Sequence, residues 1–128
     1  ELHWHTPNHQ PIPLDKVGDE LRRSSMALVL TNPNAKGMMT TKFFEALGCE
    51  KPILCTPSDN GLLTKTIRDT NAGLASSDID EIKAFILKKY HEWQQNGFTR
   101  QAVINKEQFS RQQQAQQFEQ LFMQCSKR

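Results

Sequence analysis

The stretch NAKGMMTTKFFEALGCEKPIL, residues 34–54, decides how this chain folds. A polar loop bearing Gly37 runs into a short helix opened by Thr40 and Thr41. Gly48 then closes the helix ahead of an apolar run with strand character. The first turn of a helix has amides without partners and a partial positive charge, so it can receive an anion. Lys42 adds a cation at that end, and Glu45 places a carboxylate one turn further in, where apolar packing does not require one. Free amides between a basic and an acidic group suit a ligand that carries both phosphate and hydroxyls. The same residues also describe an ordinary helix with a threonine cap, an exposed lysine and a solvated glutamate.

Outward from this stretch, helical and strand patterns alternate. Residues 2–5, LHWH, read as a strand, followed by a loop rich in proline and histidine over residues 6–13. Leu14, Val17 and Leu21 recur at helical spacing over residues 14–23, with Pro13 ahead of Asp15 marking the start. Residues 26–30, MALVL, form a continuous apolar run of the kind found in central parallel strands covered on both faces. A second short buried strand is expected at residues 52–55, a turn at 57–61, a helix at 62–69 with Leu63 and Ile67 inward, and a minimal strand at 71–74. Asp78 and Glu81 fit a capping box opening a long helix, whose stripe is Ile82, Phe85, Ile86, Tyr90 and Trp93 and whose stop is Gly97. A last helical region spans about residues 99–125, with Phe118, Leu121, Phe122 and Cys125 on one face.

Each connection between strands is too long for a hairpin. Right-handed βαβ crossovers then give an α/β fold, a parallel sheet of about four strands with helices on both faces. Ligands of such sheets gather at the carboxyl ends of the strands, which is where residues 32–41 emerge.

Length and composition set bounds. With 128 residues the chain is one domain with a single core, and its net charge of +2 is too small to argue for nucleic acid or a membrane surface. The apolar run at 26–30 is far short of a membrane span. Cys49, Cys55 and Cys125 form no even-numbered framework and no C-x-x-C pair, which reads as reduced thiols in a cytoplasmic protein. His3, His5 and His9 lie close in sequence, but zinc needs three or four ligands at fixed distances and no fourth is placed, so no metal is expected. Cys49 and Cys55 read as buried thiols and the Tyr90/Trp93 stripe as core. The chain opens at Glu1 in a strand already under way, and the expectation is a fragment of a longer protein.

Residues 40–54 resemble the donor-site segment of the family 4 retaining glycosyltransferases, whose common form is Glu-G-F-G-x-x-x-x-Glu-A-x-x-x-G-x-P-V-V. Glu45, Ala46, Gly48 and Pro52 echo it, with three residues rather than one between Gly48 and Pro52. Residues 24–30, SSMALVL, are similar to the preceding strand of the family. Residues 56–74, TPSDNGLLTKTIRDTNAGL, resemble its glycine turn, helix and N-x-G-L strand, and residues 109–122, FSRQQQAQQFEQLF, its closing helix.

The resemblance implies a Rossmann-like three-layer α/β/α domain, the C-terminal half of a two-domain enzyme. That enzyme moves a hexose from a UDP-, GDP- or ADP-sugar to a saccharide or lipid-linked acceptor, as in bacterial surface polysaccharide synthesis. It implies no further cofactor, a cytoplasmic location with peripheral association at the inner membrane face, and an N-terminal domain of the same chain as partner. Carried over by position, the ribose-binding carboxylate falls on Glu45 and the phosphate-contacting amides on Thr40, Thr41 and Lys42. Gly61 would keep the opposite loop close. The family's first carboxylate falls on Gly37, so it is absent, and the segment is closer to the subset with a P-x-K-x-x-E-Y-L form. The basic pair that stabilises the leaving diphosphate would precede Glu1, so no catalytic residue is assigned and this fragment alone is expected to be inactive. The competing reading is a non-catalytic Rossmann-like module that works through protein contacts.

Overall fold

In the computed structural model, which describes residues 12–32, 34 and 37–126, three parallel strands form one sheet in the order β1–β2–β3. The strands are β1 (Ala27–Leu30), β2 (Ile53–Thr56) and β3 (Gly73–Ala75). Between and after them run the helices α1 (Val17–Arg23), α2 (Thr41–Gly48), α3 (Leu62–Asp69), α4 (Ile79–Asn96) and α5 (Arg111–Ser126). The protein is a mixed α/β fold with an open parallel sheet. The expected strand at residues 2–5 lies outside the described residues.

Register fixes the sheet: Ala27 pairs with Ile53 and Leu30 with Thr56, while Ile53 pairs with Gly73 and Cys55 with Ala75. β2 is the central strand, and Ile53, Leu54 and Cys55 are all buried, as a strand covered on both faces requires. Its core face meets Ala27 and Val29 of β1, Phe43, Ala46 and Leu47 of α2, and Leu63 and Ile67 of α3. Full burial of side chains such as Phe43, Ile53 and Leu63 is worth about 1.5–3 kcal/mol each.

β1 departs from expectation. Its run of apolar residues predicts cover on both faces, yet burial alternates, with Ala27 and Val29 inside and Leu28 and Leu30 57% and 70% exposed. A strand alternates its side chains between faces. α2 covers one face of β1, while among the described residues the other is only partly covered.

Helix ends also differ from the sequence reading. The helix expected at 14–23 begins as a 3-10 turn, Leu14–Lys16, and becomes α-helical only at Val17. That change of winding turns Leu14 out to 89% exposure, while Leu21 packs on the core. Gly48 does not stop α2 but is its last residue. Glu50 takes the left-handed position instead, at φ 54°, with its amide on Leu47 O and the Lys51 amide on Ala46 O. α3 ends in the same motif, with Asn71 at φ 50° and the amides of Asn71 and Ala72 on Arg68 O and Ile67 O. Gly97, at φ 75°, does end α4 as expected.

At the start of α4 the Asp78 carboxylate accepts from the amides of Asp80 and Glu81. Glu81 does not return the bond to the Asp78 amide. It accepts from Ser76 Oγ, and Ser76 Oγ accepts from the Asp78 amide, so the box closes through a serine.

The last region, expected as one helix, is three pieces. Residues 99–105 are irregular, Lys106–Phe109 is a 3-10 turn, and α5 follows Ser110, whose hydroxyl accepts from the Gln113 amide. Thr99 is buried and donates to Ser25 O, which ties the irregular piece to the segment leading into β1. The stripe Phe118, Leu121 and Phe122 forms as predicted but is exposed among the described residues, Phe122 by 72%. The α4 stripe is likewise only half covered, with Tyr90 stacked on Trp93 at a 6.0 Å centroid separation.

Candidate functional site

Because the strands are parallel, the helix that follows each one starts at the carboxyl edge of the sheet, and three helix N-termini collect there. They are not equivalent. At α3 the buried Asp59 carboxylate accepts from the amides of Gly61, Leu63 and Thr64, at 3.1, 3.1 and 2.9 Å, and from Thr64 Oγ1. Burial opposes ionisation of Asp59, but these four hydrogen bonds outweigh it and hold the carboxyl below the usual carboxylate range. At α4 the carboxylate of Asp78 fills the same role. Both ends already hold an anion supplied by the chain.

α2 differs. Its cap is the neutral hydroxyl of Thr40, which accepts from the Phe43 amide at 3.3 Å, and its first turn has no acidic residue. No hydrogen bond from the amides of Thr41 or Lys42 is made among the described residues, as expected for the first positions of a helix. The partial charge of this end is therefore open to an external anion.

Of the residues named from sequence, Thr41, Lys42 and Glu45 lie together. All three are exposed and line one groove of about 540 Å³ beside β1. The remaining wall is largely apolar, with Leu14, Val17, Leu21, Met26 and Leu28 prominent. Thr40 is the cap just behind it. Gly37 is exposed in the loop at φ 84°, a left-handed conformation that glycine adopts readily, and it does not line the groove.

Gly61 is placed elsewhere. It is the residue before α3, with its amide committed to Asp59, and it lines no part of the α2 groove. A Cβ at this position would sit 3.0 Å from Asp59 Oδ2, so the glycine serves the internal cap. Asp59 itself was readable in sequence only as a turn residue in SDNG; the signal for a cap was an Asp placed ahead of the Leu62 helix.

The thiols divide by environment: Cys55 is buried, Cys49 half-buried and Cys125 exposed. Burial first, and the nearby Asp59 charge second, push the Cys55 thiol up to about 11. His3, His5 and His9 lie outside the described residues. Among those described, no three His, Cys, Asp or Glu side chains are grouped to hold a metal, and no helix is long and apolar enough to cross a membrane. No protein-family model, curated protein or solved structure matches this chain.

Proposed function

We propose that the groove beside α2 binds the nucleotide diphosphate part of a sugar donor, and that the chain is a donor-binding domain of a glycosyltransferase. The observation that carries this reading is the convergence of Thr41, Lys42 and Glu45 on one groove, at the one helix following a described strand whose N-terminus holds no carboxylate among the described residues. The open amides of Thr41 and Lys42 and the Lys42 ammonium would receive the diphosphate. Glu45, one turn further along, would accept from two vicinal ribose hydroxyls, and the apolar wall would take the base. In such an enzyme a hexose would pass to a saccharide or lipid-linked acceptor.

Titration of the ¹⁵N-labelled domain with UDP, GDP and ADP tests the reading. Amide shifts at Thr41, Lys42 and Glu45, saturating on the order of millimolar nucleotide, are the expected result. A folded domain with no shift there at several millimolar of each nucleotide removes the proposal.

One feature favours a second reading. The stripe of Phe118, Leu121, Phe122 and Met123 along α5 is exposed. Side chains of this kind on one helix face suit a module that acts through protein contacts. That reading predicts no nucleotide shifts at all.

A further inference from the structure

At the opposite, amino edge of the sheet lies a second polar pocket, independent of the α2 groove. It has a volume of about 410 Å³ and is lined by Arg22, Cys49, Glu50, Lys51, Phe98 and Arg100, with Thr99 at its base. Three cations face one carboxylate. That carboxylate is already engaged, because Glu50 is ion-paired with Lys106, which holds its carboxyl below the usual range. Arg22 is held by Asp19 at 2.8 Å, which leaves part of its guanidinium fork for another acceptor. Neither Lys51 nor Arg100 has a carboxylate within ion-pair distance among the described residues. Positive charge is therefore in excess here.

The wall carrying Phe98 and Arg100 is fixed in place. Thr99 Oγ1 donates to Ser25 O, and the Arg100 amide donates to Glu92 Oε1 at 2.7 Å. Lys89 Nζ donates to Arg100 O at 2.8 Å, and the Gln101 amide to Glu50 O at 3.2 Å. These bonds span both sides of the pocket, so its backbone frame is set before any ligand arrives. Phe98, 55% exposed beside Arg100, offers a ring face that no core contact requires.

We propose that this pocket is an anion site for a small phosphate monoester carried on a flat ring. Lys51 and Arg100 grip the phosphate, Arg22 supports it, and Phe98 stacks on the ring. A phosphate monoester carries about −1.5 to −2 charges near pH 7, which matches the excess. Arginine adds two-pronged geometry that a lone lysine cannot.

Cys49 lines the same pocket and reports on its occupancy, while Cys125 on α5 is an internal control. Alkylation by neutral iodoacetamide, quantified at each cysteine by mass spectrometry, is followed against inorganic phosphate and phenyl phosphate at constant ionic strength. The expected result is slowed alkylation of Cys49 with Cys125 unchanged, and phenyl phosphate acting at the lower concentration. Lys51→Ala combined with Arg100→Ala weakens protection by about tenfold or more, since charge-assisted hydrogen bonds are lost. Phe98→Ala removes the preference for phenyl phosphate. An unchanged amide spectrum outside the pocket verifies that each variant folds. Cys49 indifferent to both phosphates, protection undiminished in the double variant, or no preference for the ring-bearing probe would each overturn the assignment.

Discussion

The Asp59 carboxylate and Thr64 are joined twice, Oδ1 accepting from the Thr64 amide at 2.9 Å and from its hydroxyl at 2.5 Å. With Gly61 and Leu63 also donating, one buried side chain closes the start of α3 and fixes the loop behind β2. Asp59→Ala therefore leaves buried amides unpaired and costs about 2 kcal/mol, measured by urea unfolding. The same bonds give a pH dependence of known sign. A carboxyl held below its unfolded value of about 3.9 contributes stability that is complete above that pH. The contribution is lost as pH falls through the folded value. Asp59→Asn flattens this acid limb; an acid limb identical in the variant and the parent would refute the assignment.

Gly73 sits where β3 meets β2 so closely that an added Cβ would lie 1.9 Å from Ile53 O. Its φ of 157° is also one that side chains rarely adopt. The clash is with backbone, which cannot swing aside as a long side chain can. Gly73→Ala is predicted to cost roughly 3 kcal/mol or more by displacing β3. Gly48→Ala is the control: beyond the helix's own backbone nothing lies within 4 Å of the added methyl, and alanine in place of glycine at a helix end gains up to about 1 kcal/mol, the helix-interior figure. That variant is expected to be neutral or stabilising in the same unfolding measurement.

This contrast shows what the sequence made legible. The helix over Leu62–Asp69 was readable to the residue, because turn residues bound it and Leu63 and Ile67 set its inward face. The stop of α2 was not, because Gly48 looked like the terminator while Glu50 carries the left-handed turn. A glutamate in that conformation has no local signature; the Schellman bonds and the Lys106 pair hold it there. At the candidate site, local spacing was enough to bring Thr41, Lys42 and Glu45 together. Gly61 lies outside that groove, its amide taken by Asp59 two residues earlier, a local cap that the SDNG stretch signalled only as a turn. The basic pocket escaped for a tertiary reason. Arg22, Lys51 and Arg100 come from three separate segments, and only the fold places them side by side.

The three thiols offer an independent check on packing. At pH 8 a neutral alkylating reagent is expected to modify exposed Cys125 first and half-buried Cys49 next. Cys55, buried and shifted up to about 11, should resist until the protein unfolds. The sign for stability follows. In the fold the thiol keeps its proton above the ordinary value of 9.0, so its contribution is full below that pH and falls as pH rises toward 11. Cys55→Ala removes this alkaline slope while leaving a small cavity. Rapid labelling of Cys55 in the native protein at pH 8 would place it outside the core.

Lys42 and Glu45 divide the proposed donor site into two chemistries that mutation can separate. Both side chains are exposed and neither makes a hydrogen bond among the described residues, so Lys42→Ala and Glu45→Ala should change stability by less than about 0.5 kcal/mol. Their effects on binding should differ. In the proposed mode Lys42 would meet only phosphate, so its loss should weaken UDP and inorganic diphosphate alike, by about tenfold at low salt. Glu45 would meet only ribose hydroxyls. Glu45→Ala should weaken UDP by a similar factor and leave inorganic diphosphate unchanged, or bound slightly tighter because a repelling charge is gone. Titrations followed at the Thr41 amide separate these outcomes. Equal loss of both ligands in Glu45→Ala would mean that the carboxylate acts through the helix and not on a ribose.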